Sequence, residues 1–204
     1  MLEKDAVIIL DERIPEYTED SDLFGVERGA LFLARNGMRM KYAVGDFDSV
    51  KESDIRMIQE YSEEFIRLNP IKDDSDSEAA VIFALKKGYK KIRVSGTFAG
   101  RVDHTYVNLF LTYRYPGVLT VEDAQNRVCS LAEGVYEMKP DGYPYISFFA
   151  PEHAVISLKG FFYELDRCAI STEDLFTLSN EITEDPACLT VHAGKVIVIQ
   201  SSDQ

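Results

Sequence analysis

Gly45-Asp46-Phe47-Asp48-Ser49 follows the strand-like run Lys41-Tyr42-Ala43-Val44 and precedes a helix-like run that starts near Lys51. That order puts the five residues on a strand-to-helix loop. Two-residue spacing points Asp46 and Asp48 to the same side of an extended segment, and Gly45 permits the backbone geometry of a tight turn. The pattern of strand, polar loop and helix then recurs. Lys72-Asp73-Asp74-Ser75-Asp76 stands before the helix-like run from Glu78 to Leu85, and the polar stretch Ser95 to Asn108 follows a strand-like run from Lys91 to Val94. In open parallel sheets the loops beyond the carboxyl ends of the strands line a crevice, so three such loops can meet at one site.

Working outward, Asp5 to Asp11 reads as a first buried strand and Leu23 to Arg35 as a helix stopped by Asn36-Gly37. Met40 to Val44, Glu64 to Leu68, Lys90 to Ser95 and Val118 to Val121 read as further strands. Lys51 to Tyr61, Ser77 to Lys87 and Val102 to Tyr113 read as helices between them. This alternation predicts an α/β class, a Rossmann-like three-layer domain with a parallel sheet wrapped by helices. Beyond about Asp123 the rhythm changes to short strand-like runs: Arg127 to Leu131, Val135 to Met138, Tyr145 to Ala150, Ala154 to Leu158, Phe161 to Leu165, Cys188 to Val191 and Lys195 to Gln200. Gly134, Pro140-Asp141-Gly142, Pro144, Pro151, Lys159-Gly160 and Ala193-Gly194 supply turns, at spacings typical of an antiparallel β-sandwich or barrel. The boundary is expected near Gln125, giving domains 1–125 and 126–204.

Carboxylates placed like Asp46 and Asp48 repel unless a cation lies between them, and Mg2+ takes one or two carboxylates together with substrate phosphates. The ordinary alternative is an acidic solvated loop with Ser49 as helix N-cap. Asp73 and Asp76 repeat the arrangement at a second helix start, where free N–H groups and the macrodipole favour anions. Arg101 offers a bidentate fork for phosphate oxygens, and Asp103, His104 and Asn108 crowd the same helix entry.

These residues resemble the thiamine pyrophosphokinase family. Its Gly-Asp-Phe-Asp-Ser signature stands at Gly45 to Ser49, its Lys-Asp-x-Thr-Asp signature is similar to Lys72 to Asp76, and its Gly-Gly-Arg-x-Asp-His motif is similar to Ala99 to His104. Asn108 also falls where the family has one. Gly160-Phe161-Phe162-Tyr163 resembles the family's Gly-x-x-aromatic segment, and Ser179-Asn180-Glu181 its Ser-Asn motif. Val26 to Ala30 resembles the Ala-Asp-Gly-Gly-Ala segment, with Glu27 for aspartate and Arg28 for glycine. Ala99 and Ser75 replace a glycine and a threonine.

The resemblance implies an enzyme that transfers a pyrophosphoryl group from ATP to thiamine, giving thiamine diphosphate and AMP. It implies Mg2+ held by Asp46, Asp48, Asp73 and Asp76, which with Arg101 form the catalytic set; Asp76 is equally placed to be the general base. Ser49, Lys72, Ser75, Arg101, Asp103, His104 and Asn108 are implied nucleotide contacts. Ser179, Asn180 and Tyr163 are implied thiamine contacts, each with a structural alternative as a turn or core residue. The implied assembly is a homodimer with sites at the subunit interface.

The 204 residues carry 35 acidic and 22 basic side chains, a formal charge of −13. That balance argues against nonspecific nucleic-acid binding, which needs clustered Lys and Arg. Cys129, Cys168 and Cys188 fit neither a disulfide framework nor a zinc pattern and read as reduced thiols. The apolar run Ala6 to Leu10 is too short for a signal sequence or a membrane span, so a cytoplasmic protein is expected. Two rival readings are a relative that binds nucleotide or thiamine without turnover, and an unrelated Mg2+-dependent phosphohydrolase.

Overall fold

A computed structural model describes residues 5–12, 14, 17, 20–48, 50–69, 75–96, 98 and 101–203. The chain forms two compact units, Met1–Asn108 and Leu109–Gln204.

The first unit holds β1 (Ala6–Ile9), β2 (Asp22–Val26), α1 (Arg28–Arg35), β3 (Met40–Gly45), α2 (Glu52–Tyr61), β4 (Ser62–Arg67), α3 (Asp76–Lys86) and β5 (Ile92–Ser95). Its strands lie in the order β4-β3-β2-β1-β5, and the β1–β2, β2–β3, β3–β4 and β1–β5 pairings are all parallel. β1 and β2 are buried along their whole length, which explains why they read as unbroken apolar runs. Val7, Ile9, Leu23 and Ala43 pack under α1 and α2. On the opposite face Phe24 and Tyr42 meet Phe83 of α3 edge-on, at centroid distances of 6.2 and 5.2 Å. The two faces give the expected three layers. After β4 the chain crosses by way of α3 to the far side of β1, so the sheet has its topological switch point beside β1.

One expectation fails here. Leu23 to Val26 is not the start of the first helix but strand β2, inserted between β1 and β3; the helix begins at Arg28. A short apolar run cannot be told from a buried helix by periodicity, and length and glycine content must arbitrate. Gly25 is the sign of a strand: a Cβ there would lie 2.5 Å from the Ala30 Cα of the overlying helix.

α4 (Val102–Arg114) runs through the division between the units. The second unit contains β6 (Leu119–Glu122), β7 (Asn126–Leu131), β8 (Gly134–Met138), β9 (Tyr145–Phe149), β10 (His153–Lys159), β11 (Leu165–Ser171), β12 (Ala187–Gly194) and β13 (Val196–Ser201). β6-β7-β13-β9 and β11-β10-β12-β8 are antiparallel arrays, packed over a shared core that includes Ile146, Phe148, Ile156, Leu158, Leu189, Val191 and Val198. β6, expected as the last strand of the first domain, pairs antiparallel with β7 in the second unit. The strand expected over Phe161 to Leu165 is absent: Phe161 makes a single bridge to Ile182, and β11 takes the sheet edge instead. Phe162 and Tyr163 are both exposed, so this segment lacks the in-out alternation of a strand, and the β10–β11 ladder shifts register after Ile156, close to Arg167 at φ 45°. The three cysteines are free, and burial pushes the Cys129 thiol up to about 11.

Candidate active site

At the carboxyl end of β3 the chain turns sharply through Asp46-Phe47-Asp48. Phe47 drives the turn: its ring is 1% exposed and stacks on Phe65 at 4.7 Å. Its backbone lies at φ 56°, a left-handed conformation unusual for an aromatic residue. With the ring turned inward, Asp48 is exposed and Asp46 half-buried. The Asp48 N–H donates to Asp46 Oδ1 at 3.0 Å, and Arg67 Nε donates to the Asp46 carbonyl at 3.3 Å. α2 takes Lys51, not Ser49, at its cap position. Ser49, Lys72 and Asp73 lie outside the described residues.

At the second helix start, Ser75 is the N-cap of α3 and accepts from Glu78 N at 3.2 Å. Asp76 is the first residue of that helix, where a carboxylate is favoured by the free N–H groups and the dipole. Ser75 Oγ is 3.0 Å from Ser77 Oγ, and Ser77 Oγ donates to Oδ1 of the buried Asn108 at 3.0 Å. Asn108 therefore ties α4 to the start of α3.

Glu27 sits between β2 and α1 and links these loops. Burial pushes its carboxyl above the usual range; the Phe47 N–H opposes this, and the charges of Asp76 and Asp46 add to it. Glu27 thus feels the charges of both Asp46 and Asp76. Among the described residues no three His, Cys, Asp or Glu side chains form a ready-made metal cluster. The hard carboxylate oxygens of Asp46 and Asp48 do suit Mg2+, which needs few protein ligands when phosphates supply the rest.

Arg101 forms a two-pronged pair with its neighbour Asp103, from Nε to Oδ1 at 3.1 Å and from Nη2 to Oδ2 at 2.5 Å. Asp103 Oδ1 also accepts from the His104 N–H at 3.0 Å. The Arg101 hydrogen bond holds the Asp103 carboxyl below the usual carboxylate range. Arg101, Asp103 and His104 are all exposed, so the guanidinium is aimed by its own neighbour and open to a competing anion.

In the second unit Ser179, Asn180 and Tyr163 come together, in unequal roles. Asn180 is 3% exposed and both ends of its amide are engaged: Oδ1 accepts from Tyr163 N at 3.0 Å and Glu181 N at 2.9 Å, and Nδ2 donates to Tyr163 O at 2.8 Å. Its backbone pairs with Ile146 in both directions. Ser179, at φ 54°, is held by an N–H bond to Ser147 Oγ at 2.9 Å. Tyr163 is 64% exposed, its ring edge-on to Phe162 at 4.9 Å. Phe162, Leu175, Phe176 and Leu178 are exposed as well.

Sequence reasoning missed what Glu27 does at the loop, what Ser77 joins, and the exposed Leu175, Phe176 and Leu178. Ser77 carried no signal beyond its place at a helix start.

A parallel α/β unit with acidic loops at its carboxyl edge, followed by an antiparallel sandwich, defines a two-part protein with a nucleotide-type fold in front. A family model described as thiamin pyrophosphokinase, catalytic domain, matches residues 16–121, and one described as thiamin pyrophosphokinase, vitamin B1 binding domain, matches residues 135–196. The thiamine pyrophosphokinase of Bacillus subtilis (strain 168) is 32% identical over 196 residues, covering 92% of this chain and 91% of that protein. A crystal structure of thiamine pyrophosphokinase from Bacillus subtilis superposes with a TM-score of 0.89 at 28% identity, covering 98% of this chain and 100% of that one. One from Geobacillus thermodenitrificans gives 0.85 at 29% identity, covering 98% of each chain. The chain belongs to the thiamin pyrophosphokinase family.

Proposed function

We propose that this chain transfers the pyrophosphoryl group of ATP to the hydroxyethyl alcohol of thiamine. The alcohol oxygen attacks the β phosphorus, the bond from that phosphorus to the α–β bridging oxygen breaks, and AMP leaves. The alcohol proton goes to a base, with Asp76 the residue placed for it or for the metal. Positioning and electrostatics carry such reactions. Asp46, Asp48, Asp73 and Asp76 would hold Mg2+, which would supply neutralising charge for the triphosphate. Arg101 binds phosphate oxygens as Asp103 yields it, and Ser49, Lys72, Ser75, His104 and Asn108 complete the nucleotide side. On the acceptor side Tyr163 and Ser179 meet thiamine, and Asn180 frames them.

The observation that carries this reading is the arrangement at the end of β3: a buried Phe47 that turns Asp46 and Asp48 away from the core, with Glu27 behind them feeling the charges of both Asp46 and Asp76. We assign residues 1–125 to the nucleotide side and 126–204 to the thiamine side, a division supported by the limits of the two family models. A homodimer whose subunits share the sites accords with the exposed Leu175, Phe176 and Leu178. A cytoplasmic location accords with three free cysteines and with the lack, among the described residues, of a helix long and apolar enough to cross a membrane.

The test is incubation with ATP, Mg2+ and thiamine, followed by chromatography. AMP and thiamine diphosphate in equal amounts are expected. Phosphate release would instead mark a phosphohydrolase, and binding without product a non-catalytic relative.

A further inference from the structure

We propose that Glu27 is a positioning residue that holds the Gly45–Asp48 loop in its working shape, a role that rests on the pyrophosphokinase reading. The geometry is a two-point clasp on the end of β3. The Glu27 N–H donates to the Val44 carbonyl at 3.2 Å, and Glu27 Oε1 accepts from the Phe47 N–H at 3.1 Å. One residue thus grips the chain on both sides of Gly45 and Asp46.

Two further observations point the same way. Glu27 (φ 50°, ψ −114°) and Phe47 (φ 56°) both occupy left-handed backbone, which side chains avoid, and they are the two ends of one hydrogen bond. Strain of this kind persists only where the surroundings over-determine it, and it clusters at functional sites. Gly45 makes room for the clasp: a Cβ there would lie 2.0 Å from Glu27 Oε1. The carboxylate takes the place a side chain would fill, directly beneath Asp46. Removing it releases the Phe47 N–H and with it the turn that presents Asp46 and Asp48.

The experiment compares Glu27→Ala, Glu27→Gln and Gly45→Ala with the unaltered protein. Hydrogen exchange of the Phe47 amide is measured without metal, and the Mg2+ concentration for half-maximal turnover is measured alongside. Glu27→Ala is expected to speed exchange at residues 46–48 by about 10-fold or more, with protection of β1 and β2 kept, and to raise the Mg2+ requirement by a similar factor. Glu27→Gln keeps an oxygen acceptor and is expected to stay within about 3-fold on both measures. Gly45→Ala evicts the carboxylate and should behave like Glu27→Ala, while combining the two should be no worse than either alone, because both break one clasp. Should Glu27→Ala fail to fold, Gly45→Ala carries the same reading.

Unchanged exchange at residues 46–48 in Glu27→Ala, or in Gly45→Ala where Glu27→Ala does not fold, overturns the proposal. So does loss of Mg2+ response in Glu27→Gln with exchange unaltered, which would make Glu27 a metal ligand. If the unaltered protein produces no AMP, the pyrophosphokinase reading fails, and the exchange measurement still decides whether Glu27 holds the loop.

Discussion

The loop after β3 and the segment around Asn180 are built inside out relative to one another. At the first, an aromatic ring is buried and the carboxylates face outward; at the second, the amide of Asn180 is buried and the aromatic Tyr163 faces outward. In the proposed function the difference follows from the ligand assigned to each. A polyphosphate and its cation are met by charge, which costs least when it stays hydrated until the ligand arrives. A heteroaromatic ring is met by apolar surface, which needs a rigid frame because an exposed aromatic cannot hold itself in place. The buried Asn180, with all its bonds to backbone, is that frame.

The comparison breaks most easily at its charged end. Asp46→Asn or Asp48→Asn is expected to lower turnover at least about 100-fold. Neither residue is packed in the core, so the thermal transition in metal-free buffer should not fall, and relief of repulsion with Glu27 should hold it level or raise it for Asp46→Asn. Full activity in either variant, read by AMP production, removes the metal assignment.

A smaller effect is expected at the subunit contact proposed for the second region. Leu175 and Leu178 are 67% and 61% exposed. Replacing both by serine should raise the dimer dissociation constant by about 10-fold or more, since even a half-buried pair of leucines contributes at least about 1.5 kcal/mol in all. Analytical ultracentrifugation across a dilution series reads this, and an unchanged constant places the subunit contact elsewhere.

The smallest effects sharpen the frame itself. Asn180→Ala leaves the Tyr163 N–H and C=O and the Glu181 N–H without their side-chain partner, at a cost of about 1–3 kcal/mol in stability, and raises the Michaelis constant for thiamine about 10-fold with that for ATP nearly unchanged. Tyr163→Ala should show the same shift in the thiamine constant with stability altered by no more than about 0.5 kcal/mol. Denaturant unfolding beside steady-state kinetics separates them: a stable Asn180→Ala protein would mean the amide frames nothing.

How much of this was legible in the sequence divides along the same line. The turn after β3 and the helix start at Asp76 were, as places in the fold, because their acidic residues lie in short runs whose charge breaks an apolar strand pattern. Arg101 and Asp103 were, for the same reason, although their mutual pairing was not. Glu27 was seen only as a departure from a motif. Its bond to Phe47 joins residues twenty positions apart and depends on the parallel register Val26 with Val44, which disappears when Leu23 to Val26 is read as helix. Asn180 stood out by its motif, yet whether its amide faces a ligand or the chain depends on the Ile146 bridge and the Tyr163 backbone, contacts between segments 17 and 34 residues apart. β11 escaped because a register shift breaks the alternation that marks a strand.

The central claim is that the two regions divide the substrates between them, and calorimetric titration of thiamine into Asp48→Asn and Tyr163→Ala proteins tests it most directly. Asp48→Asn is expected to bind thiamine within about 3-fold of the unaltered protein while producing no AMP, and Tyr163→Ala to bind it about 10-fold more weakly. Unaltered thiamine binding by Tyr163→Ala together with its loss in Asp48→Asn would contradict the account.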